Sequence, residues 1–448
     1  MNFIIRDIAH LLPNCIKYGK SYNDTIKLLK KTEIMDATEL QEYQIEKLKE
    51  LLVHSYETTI YYRKIFDTIH FDPYAFNSFE QLKSIPFLTK DIIRNNRNEL
   101  ISNRYNISRL EQLSTSGSTG EPAVFFSSKR EAGSKEAAFV RNAWSRIGYD
   151  GKGVLAVFRG EKIQVNKEKN IFWQKPAVYF KDIYSSYDIN SQNARYYFDH
   201  LIKRNTRWIA AFPSVIYELC RIGNAQGVDK INSVQGIFLS SEVIHDHQIK
   251  EISKVFPNAR YNFIYGHTER ACFASSCGKT LGYHFQPEYG YTEYERIEGS
   301  LCEIIATGFN NHAMPLIRYR TGDCVDLNEE FTCSCNLKGR TFRTIGGRNQ
   351  NFIITNNGDR IVETSFIASV HSNTFDIIEK MQFEQSRIGE CILRVKPLRE
   401  MKDAEVEDIK RTITERLNND IVIDVEIVKE IPPGANGKNQ LIIQHLSQ

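Results

Sequence analysis

"WIAAFPSVIYELCRIGNAQG" (208–227), with "VQGIFLSSEVI" (234–244) and "ARYNFIYGHTE" (259–269) after it, decides how this chain is read. The first stretch is a short apolar run, a turn at Pro213, and then apolar positions recurring at helical spacing. The second repeats that order, and the third is a strand running into a loop. Strands alternating with helices of ten or more residues indicate a largely parallel α/β region. Upstream, "GVLAVFR" (153–159) is another short apolar strand, and 131–147 and 192–204 read as helices. Residues 21–65 are mostly helical, and a helix starts after Thr89.

Downstream the texture changes twice. "YTEYERI", "LCEIIAT" and "LIRYRTGDCVDL", between 281 and 345, are short alternating strands of an antiparallel or barrel-like section. From Gly346 onward, "NFIITNNGDRI" reads as a hairpin, and "CILRVKPL", "DAEVEDIKRTITERLNN" and "IVIDVEIVKEI" as strand, helix and strand. The expected fold class is therefore α/β, with a large N-terminal domain (1–346) and a small α+β C-terminal domain (347–448).

The 448 residues are 41% hydrophobic and 25% charged, with a net charge of +3, which excludes a polyanion-binding footprint. No run of ~18 apolar residues could span a bilayer. Nine cysteines in a chain without a signal-peptide pattern argue for a reducing cytoplasm rather than a disulfide framework.

Five polar elements punctuate this scaffold, one of them "GGRNQNFIITNNGDRI" (346–361). "LSTSGSTGEP" (113–122) offers hydroxyls, backbone N–H groups and two flexible glycines, so it is either a solvated turn or a phosphate cradle. Glu121 stands where a P-loop needs lysine. In "YGHTE", Tyr265 could stack on a base and Glu269 could hold magnesium beside phosphates, or Thr268 could simply cap a helix. Asp323 in "PLIRYRTGDC" could accept ribose hydroxyls or pair with Arg318 or Arg320. Lys438 sits in the Gly-flanked "PPGANGKNQ", where a lysine is ordinarily just solvated.

Together these elements resemble, in order and spacing, the adenylate-forming superfamily, and within it the phenylacetate–CoA ligase branch. "FPS", "SSE", "YGHTE" and "MPLIRYRTGD" follow the loop at similar distances, and the likeness spans roughly residues 40 to 445. Capsular polysaccharide biosynthesis proteins of the CapK type look similar in length and loop wording. The resemblance implies ATP at the surface of the large domain and a mobile C-terminal lid. Carboxylate and ATP would give acyl-AMP, and the acyl group would pass to coenzyme A or another acceptor. It assigns Ser116, Gly117, Ser118, Thr119 and Gly120 to the triphosphate, and Ser241 and Glu242 to the nucleotide site. Tyr265 meets adenine, Glu269 binds magnesium, and Asp323 and Arg348 bind ribose. Lys438 meets the α-phosphate and the carboxylate, and Phe212, Pro213, Ser214 and Tyr217 line the acyl pocket. The chain departs from the family at the hinge, where Asn349, Gln350 and Asn351 replace the usual acidic residues. The same likeness leaves open activation of a sugar acid or other small acid for polysaccharide decoration, or adenylyl transfer to a hydroxyl.

Cys277 and His284, with Cys333 and Cys335 of "CSC", could form a closed Cys₃His set for structural zinc, or be unligated cysteines near a turn. His267 is expected as a polar strand-end residue, and His245 and His247 as exposed helix residues. Cys272 has no basic partner in the sequence pattern.

Overall fold

The computed structural model describes residues 14–114, 123–161, 163–174, 181–348, 352–358, 360–362, 377–416, 420–432 and 441–446. Helices α1 (Asn14–Thr32), α2 (Ala37–Thr58) and α3 (Ile60–Thr68) form the N-terminal layer. Side chains set their ends. Asp36 accepts from the Thr38 and Glu39 amides while Glu39 reciprocates at the Asp36 N–H, a capping box. Thr59 then caps α3 by accepting from the Tyr62 amide. After the single-turn α4 (Phe79–Leu82), Thr89 starts α5 (Lys90–Asn95) in the same way.

Strands β1 (Glu111–Ser114) and β2 (Val124–Ser127) pair antiparallel, with Ser114 opposite Val124. Helix α6 (Ala132–Ser145) follows, then β3 (Val154–Phe158), β4 (Trp173–Gln174), β5 (Lys181–Tyr184), α7 (Ala194–Lys203), β6 (Thr206–Ala211), α8 (Pro213–Ala225), β7 (Gly236–Ser240), α9 (Asp246–Val255) and β8 (Arg260–Gly266). β5, β3, β6, β7 and β8 lie side by side and parallel, as the strand–helix alternation implies.

This sheet extends further than its sequence texture suggests. The short strands β9 (Phe273–Ser275), β10 (Tyr283–Phe285) and β14 (Thr341–Phe342) add antiparallel beyond β8, giving nine strands with β4 at the other edge. β11 (Gly290–Glu298), β12 (Leu301–Gly308), β13 (Tyr319–Asp326) and β15 (Gly346–Arg348) make a separate four-stranded antiparallel sheet.

Between the parallel strands and α6 lies a cluster of aromatic rings. Trp144 stacks on Phe238 at 4.1 Å, and Trp208 packs on the same ring at 5.9 Å. Gly236 has to be glycine here, because a Cβ would stand 2.7 Å from Trp208 and 2.8 Å from Ile147. The C-terminal domain has its own core of Ile353, Phe383, Leu393, Val395, Ile409, Ile423 and Ile442. It contains the hairpin β16 (Phe352–Ile354) and β17 (Arg360–Val362). Beside it, β18 (Ile378–Arg387), β19 (Glu390–Pro397), β20 (Val422–Ile427) and β21 (Ile442–Gln444) form a mixed sheet, with α10 (Asp403–Arg416) packed on β20. No helix of the described residues is long and apolar enough to cross a membrane.

Candidate active site

The parallel strands β6, β7 and β8 end on one edge of the large sheet, where open α/β sheets take their ligands. At the end of β8 the chain turns through Thr268 and Glu269 without starting a helix, so Thr268 is no helix cap. Glu269 is buried. The Tyr319 hydroxyl donates to its Oε1 at 2.8 Å, Lys90 Nζ lies 4.0 Å from the same oxygen, and His267 Nδ1 lies 3.3 Å from Oε2. Burial works against ionisation, but His267 and Lys90 outweigh it and hold the carboxyl at about 2. A deeply placed carboxylate that stays charged suits a cation beside phosphates.

His267 is more than a polar strand-end residue. Its side chain is only 13% exposed, and Nε2 lies 3.4 Å from Cys272 Sγ. Burial opposes its charge, yet Cys272 and Glu269 raise its pKa well above the ordinary value. The sequence pattern showed no basic partner for Cys272, and the turn supplies one five residues away.

Tyr265 and Asp323 meet: the phenol donates to Asp323 Oδ2 at 2.8 Å. Burial first, then the Asp323 charge, pushes the phenol's pKa far up, so it remains a donor. The alternative partners of Asp323 are engaged elsewhere. Arg318 forms a two-pronged pair with Glu293 at 2.9 and 3.0 Å, and Arg320 Nε donates to Glu303 at 2.9 Å. Asp323 lies opposite Arg348 in the β13–β15 register. The Arg348 side chain is outside the described residues, as are Ser116 to Gly120, Lys438 and the hinge residues Asn349, Gln350 and Asn351. On the loop's far side Arg270 Nη1 donates to Ser127 Oγ at 2.7 Å, tying the end of β2 to the turn that carries Glu269.

The next strand end is built differently from expectation. Glu242 turns onto the start of α8: Oε2 accepts from the Ser214 amide at 2.8 Å and Oε1 from its hydroxyl at 3.0 Å. A carboxylate at a helix N-terminus is favoured there by the exposed amides and the helix dipole. Pro213 occupies the first helical turn, where its missing N–H costs nothing, and Phe212 precedes it. Ser241 holds a left-handed backbone, φ 73°. His245 and His247 are not exposed. Their rings stack at 5.6 Å, and Tyr217 packs edge-on against His247 at 5.4 Å. Burial depresses His245 to about 3 and His247 to about 4, so both are neutral at pH 7.

Cys277, His284, Cys333 and Cys335 converge, with all their donor atoms within 4.8 Å of one another. Cys277 Sγ lies 3.7 Å from Cys333 Sγ, and Cys335 Sγ lies 3.7 Å from His284 Nδ1. Ligands at ~2.3 Å in a tetrahedron stand about 3.7 Å apart, so the set fits zinc and leaves no open position.

Sequence comparison finds similar proteins over part and over nearly all of the chain. Residues 353–445 match the family model described as the CapK C-terminal domain. Protein CapK of Staphylococcus aureus is 24% identical over 432 residues, 96% of this chain and 94% of that protein. A phenylacetate-coenzyme A ligase of Thermus thermophilus is 24% identical over 356 residues, 72% of this chain and 73% of the ligase. The chain is thus similar to CapK along nearly its whole length and to the phenylacetate-coenzyme A ligase over a shorter span.

Solved structures share the fold of this chain. A 2-hydroxyisobutyryl-CoA ligase in a postadenylation state superposes with a TM-score of 0.68 at 15% identity, covering 93% of this chain and 92% of that one. An open conformation of the same ligase with adenylate and CoA gives 0.55 at 14% identity, covering 91% and 92%.

Proposed function

We propose that this protein activates a carboxylic acid with ATP as an acyl adenylate and then passes the acyl group to coenzyme A. The observation that carries this reading is the buried, ionised Glu269 beside Lys90, at the same strand end as the Tyr265–Asp323 pair, in an adenylate-forming fold. A carboxylate oxygen attacks the α-phosphorus and the bond to the bridging oxygen of pyrophosphate breaks. Both reactants are anionic, so catalysis requires alignment and positive charge.

Ser116, Gly117, Ser118, Thr119 and Gly120 hold the triphosphate through N–H and hydroxyl donors. Tyr265 meets the adenine, and Asp323 with Arg348 takes the ribose. Ser241 and Glu242 line the nucleotide site, and Glu242 also holds the start of α8. Phe212, Pro213, Ser214 and Tyr217 border the acyl group. Magnesium on Glu269 would neutralise phosphate charge, and Lys438 would bring an ammonium to the α-phosphate and the carboxylate. The C-terminal domain, taken from residue 347, turns between the two half-reactions. A zinc ion on Cys277, His284, Cys333 and Cys335 braces the 272–340 region. The protein works in the cytoplasm, in keeping with its unpaired cysteines.

The test is ATP–pyrophosphate exchange over a panel of acids, with and without CoA. Lys438→Ala is expected to abolish exchange while ATP still binds, and full exchange in that variant refutes the assignment. The CapK match along 96% of the chain favours a second reading, in which a small or sugar acid decorates a surface polysaccharide. Acyl transfer to an amine or hydroxyl but never to CoA would select it. AMP left on the acceptor would mark adenylyl transfer, and nucleotide binding without exchange a scaffold.

A further inference from the structure

Arg159 follows β3 directly, at the same sheet edge as Phe212 and Ser240, because Phe158 pairs with Ala211 and Ala211 with Leu239. It reaches across the end of β6, and Nη2 donates to Ser240 Oγ at 2.7 Å. Its Nε is buried without a hydrogen-bond partner among the described residues. No carboxylate among the described residues pairs with it. Glu161, the acidic group whose charge it feels, lies 3.8 Å from Lys181. Burial works against the guanidinium's charge, but an arginine keeps its proton. A set-in cation with a donor left over is costly unless an anion completes it.

The described residues of the surrounding wall supply no such anion. Ser241 Oγ lies 3.5 Å from Ser240 Oγ, continuing a hydroxyl surface. His245 and His247 add neutral rings beside Tyr217. Glu242 is directed into the N-terminus of α8. From β3 to β8 is three strand steps of ~4.8 Å, so Arg159 stands roughly 14 Å along the edge from the Tyr265 strand. That distance suits the far end of a small acid whose carboxylate reacts near the nucleotide.

We propose that Arg159 determines specificity by receiving a second anionic group, a carboxylate or a phosphate, at the far end of the acid. This rests on the acyl-adenylate reading of the same site. An acid without that group leaves the guanidinium unpaired in a partly dry pocket. Sites built for a polar partner reject analogues lacking it far more strongly than apolar pockets reject a methylene.

The experiment uses the full chain and matched substrates, each a dicarboxylic acid and its monoamide (succinate with succinamate, glutarate with glutaramate), plus phosphorylated hydroxy acids with their unphosphorylated forms. The wild type is expected to favour the dianion by about 100-fold in kcat/KM for pyrophosphate exchange, mostly through KM. Arg159→Gln collapses that ratio towards one, and Arg159→Lys restores part of it. Independently, the preferred dianion alone raises the Tm of the wild type and not of Arg159→Gln, a binding readout that does not need turnover. Equal use of dianion and monoamide by the wild type, or an unchanged ratio in Arg159→Gln, overturns the role of Arg159 and leaves adenylate formation standing. Exchange with no acid of either kind refutes the adenylate reading and this inference with it.

Discussion

The neutral histidine pair makes the strongest physical prediction about the large domain. His245 is the N-cap of α9 and stacks on His247, and burial, aided by the His247 charge, depresses it from 6.5 to about 3. For His247, burial is opposed by Asp246 and reinforced by Lys250. The folded state therefore binds fewer protons than the unfolded one below pH 6.5. The stability associated with His245 is fully present above pH 6.5 and is lost as pH falls towards its folded value. At pH 5 the unfolded imidazole is almost fully protonated and the folded one is not, a difference of about 2 kcal/mol. Asn at this position keeps a good N-cap, so His245→Asn isolates the titration from the helix end. The assay is urea unfolding followed by tryptophan fluorescence, since Trp144, Trp173 and Trp208 all lie in the large domain. Relative to the wild type, His245→Asn should gain about 2 kcal/mol on going from pH 7.5 to pH 5. A gap that stays constant between the two pH values, or a ring that titrates near 6.5 by NMR in the folded protein, refutes the claim that His245 is held neutral.

Protein purified without chelator should contain one zinc per chain, and Cys335→Ser should lose it and lower the Tm by several degrees. Elemental analysis finding no zinc in the wild type refutes the Cys₃His assignment. Glu379 on β18 lies 3.7 Å from Arg221 on α8 and 2.7 Å from Lys396, an ion pair between the two domains. Glu379→Gln should weaken their docking by about 1 kcal/mol, a roughly fivefold shift towards separated domains that high salt reproduces in the wild type. A dye pair spanning the domains that reports no change contradicts this.

The parallel part of the fold was legible because each βα unit carries its own punctuation. Pro213 marks the start of α8, and strands of six and five residues lead into α8 and α9. The strands β9, β10 and β14 were not legible, since two or three residues hold no period and gain their identity only by pairing with β8 and with one another. They matter all the same, because His284 sits on β10 and Cys277 just beyond β9, so the Cys₃His cluster depends on the part of the sheet that the sequence hides.

The site divides along the same line. Glu269, Tyr265 and Asp323 could be singled out because motif wording survives in one dimension. Their states were not, because those states come from residues distant in sequence: Tyr319 and Lys90 on Glu269, and Asp323 on Tyr265 across 58 positions. Glu242 shows the limit most clearly. Its position in "SSE" points to the nucleotide site, and nothing in that wording shows that its carboxylate also closes the start of α8, a contact set by the neighbouring strand end. Arg159 is the converse case. A single arginine after an apolar strand carries no signal, and only the sheet order places it against Ser240, with no carboxylate among the described residues to neutralise it. What the acid must look like is therefore a three-dimensional question. On this edge the charge that no described residue compensates makes the substrate's far-end anion the property most open to direct test.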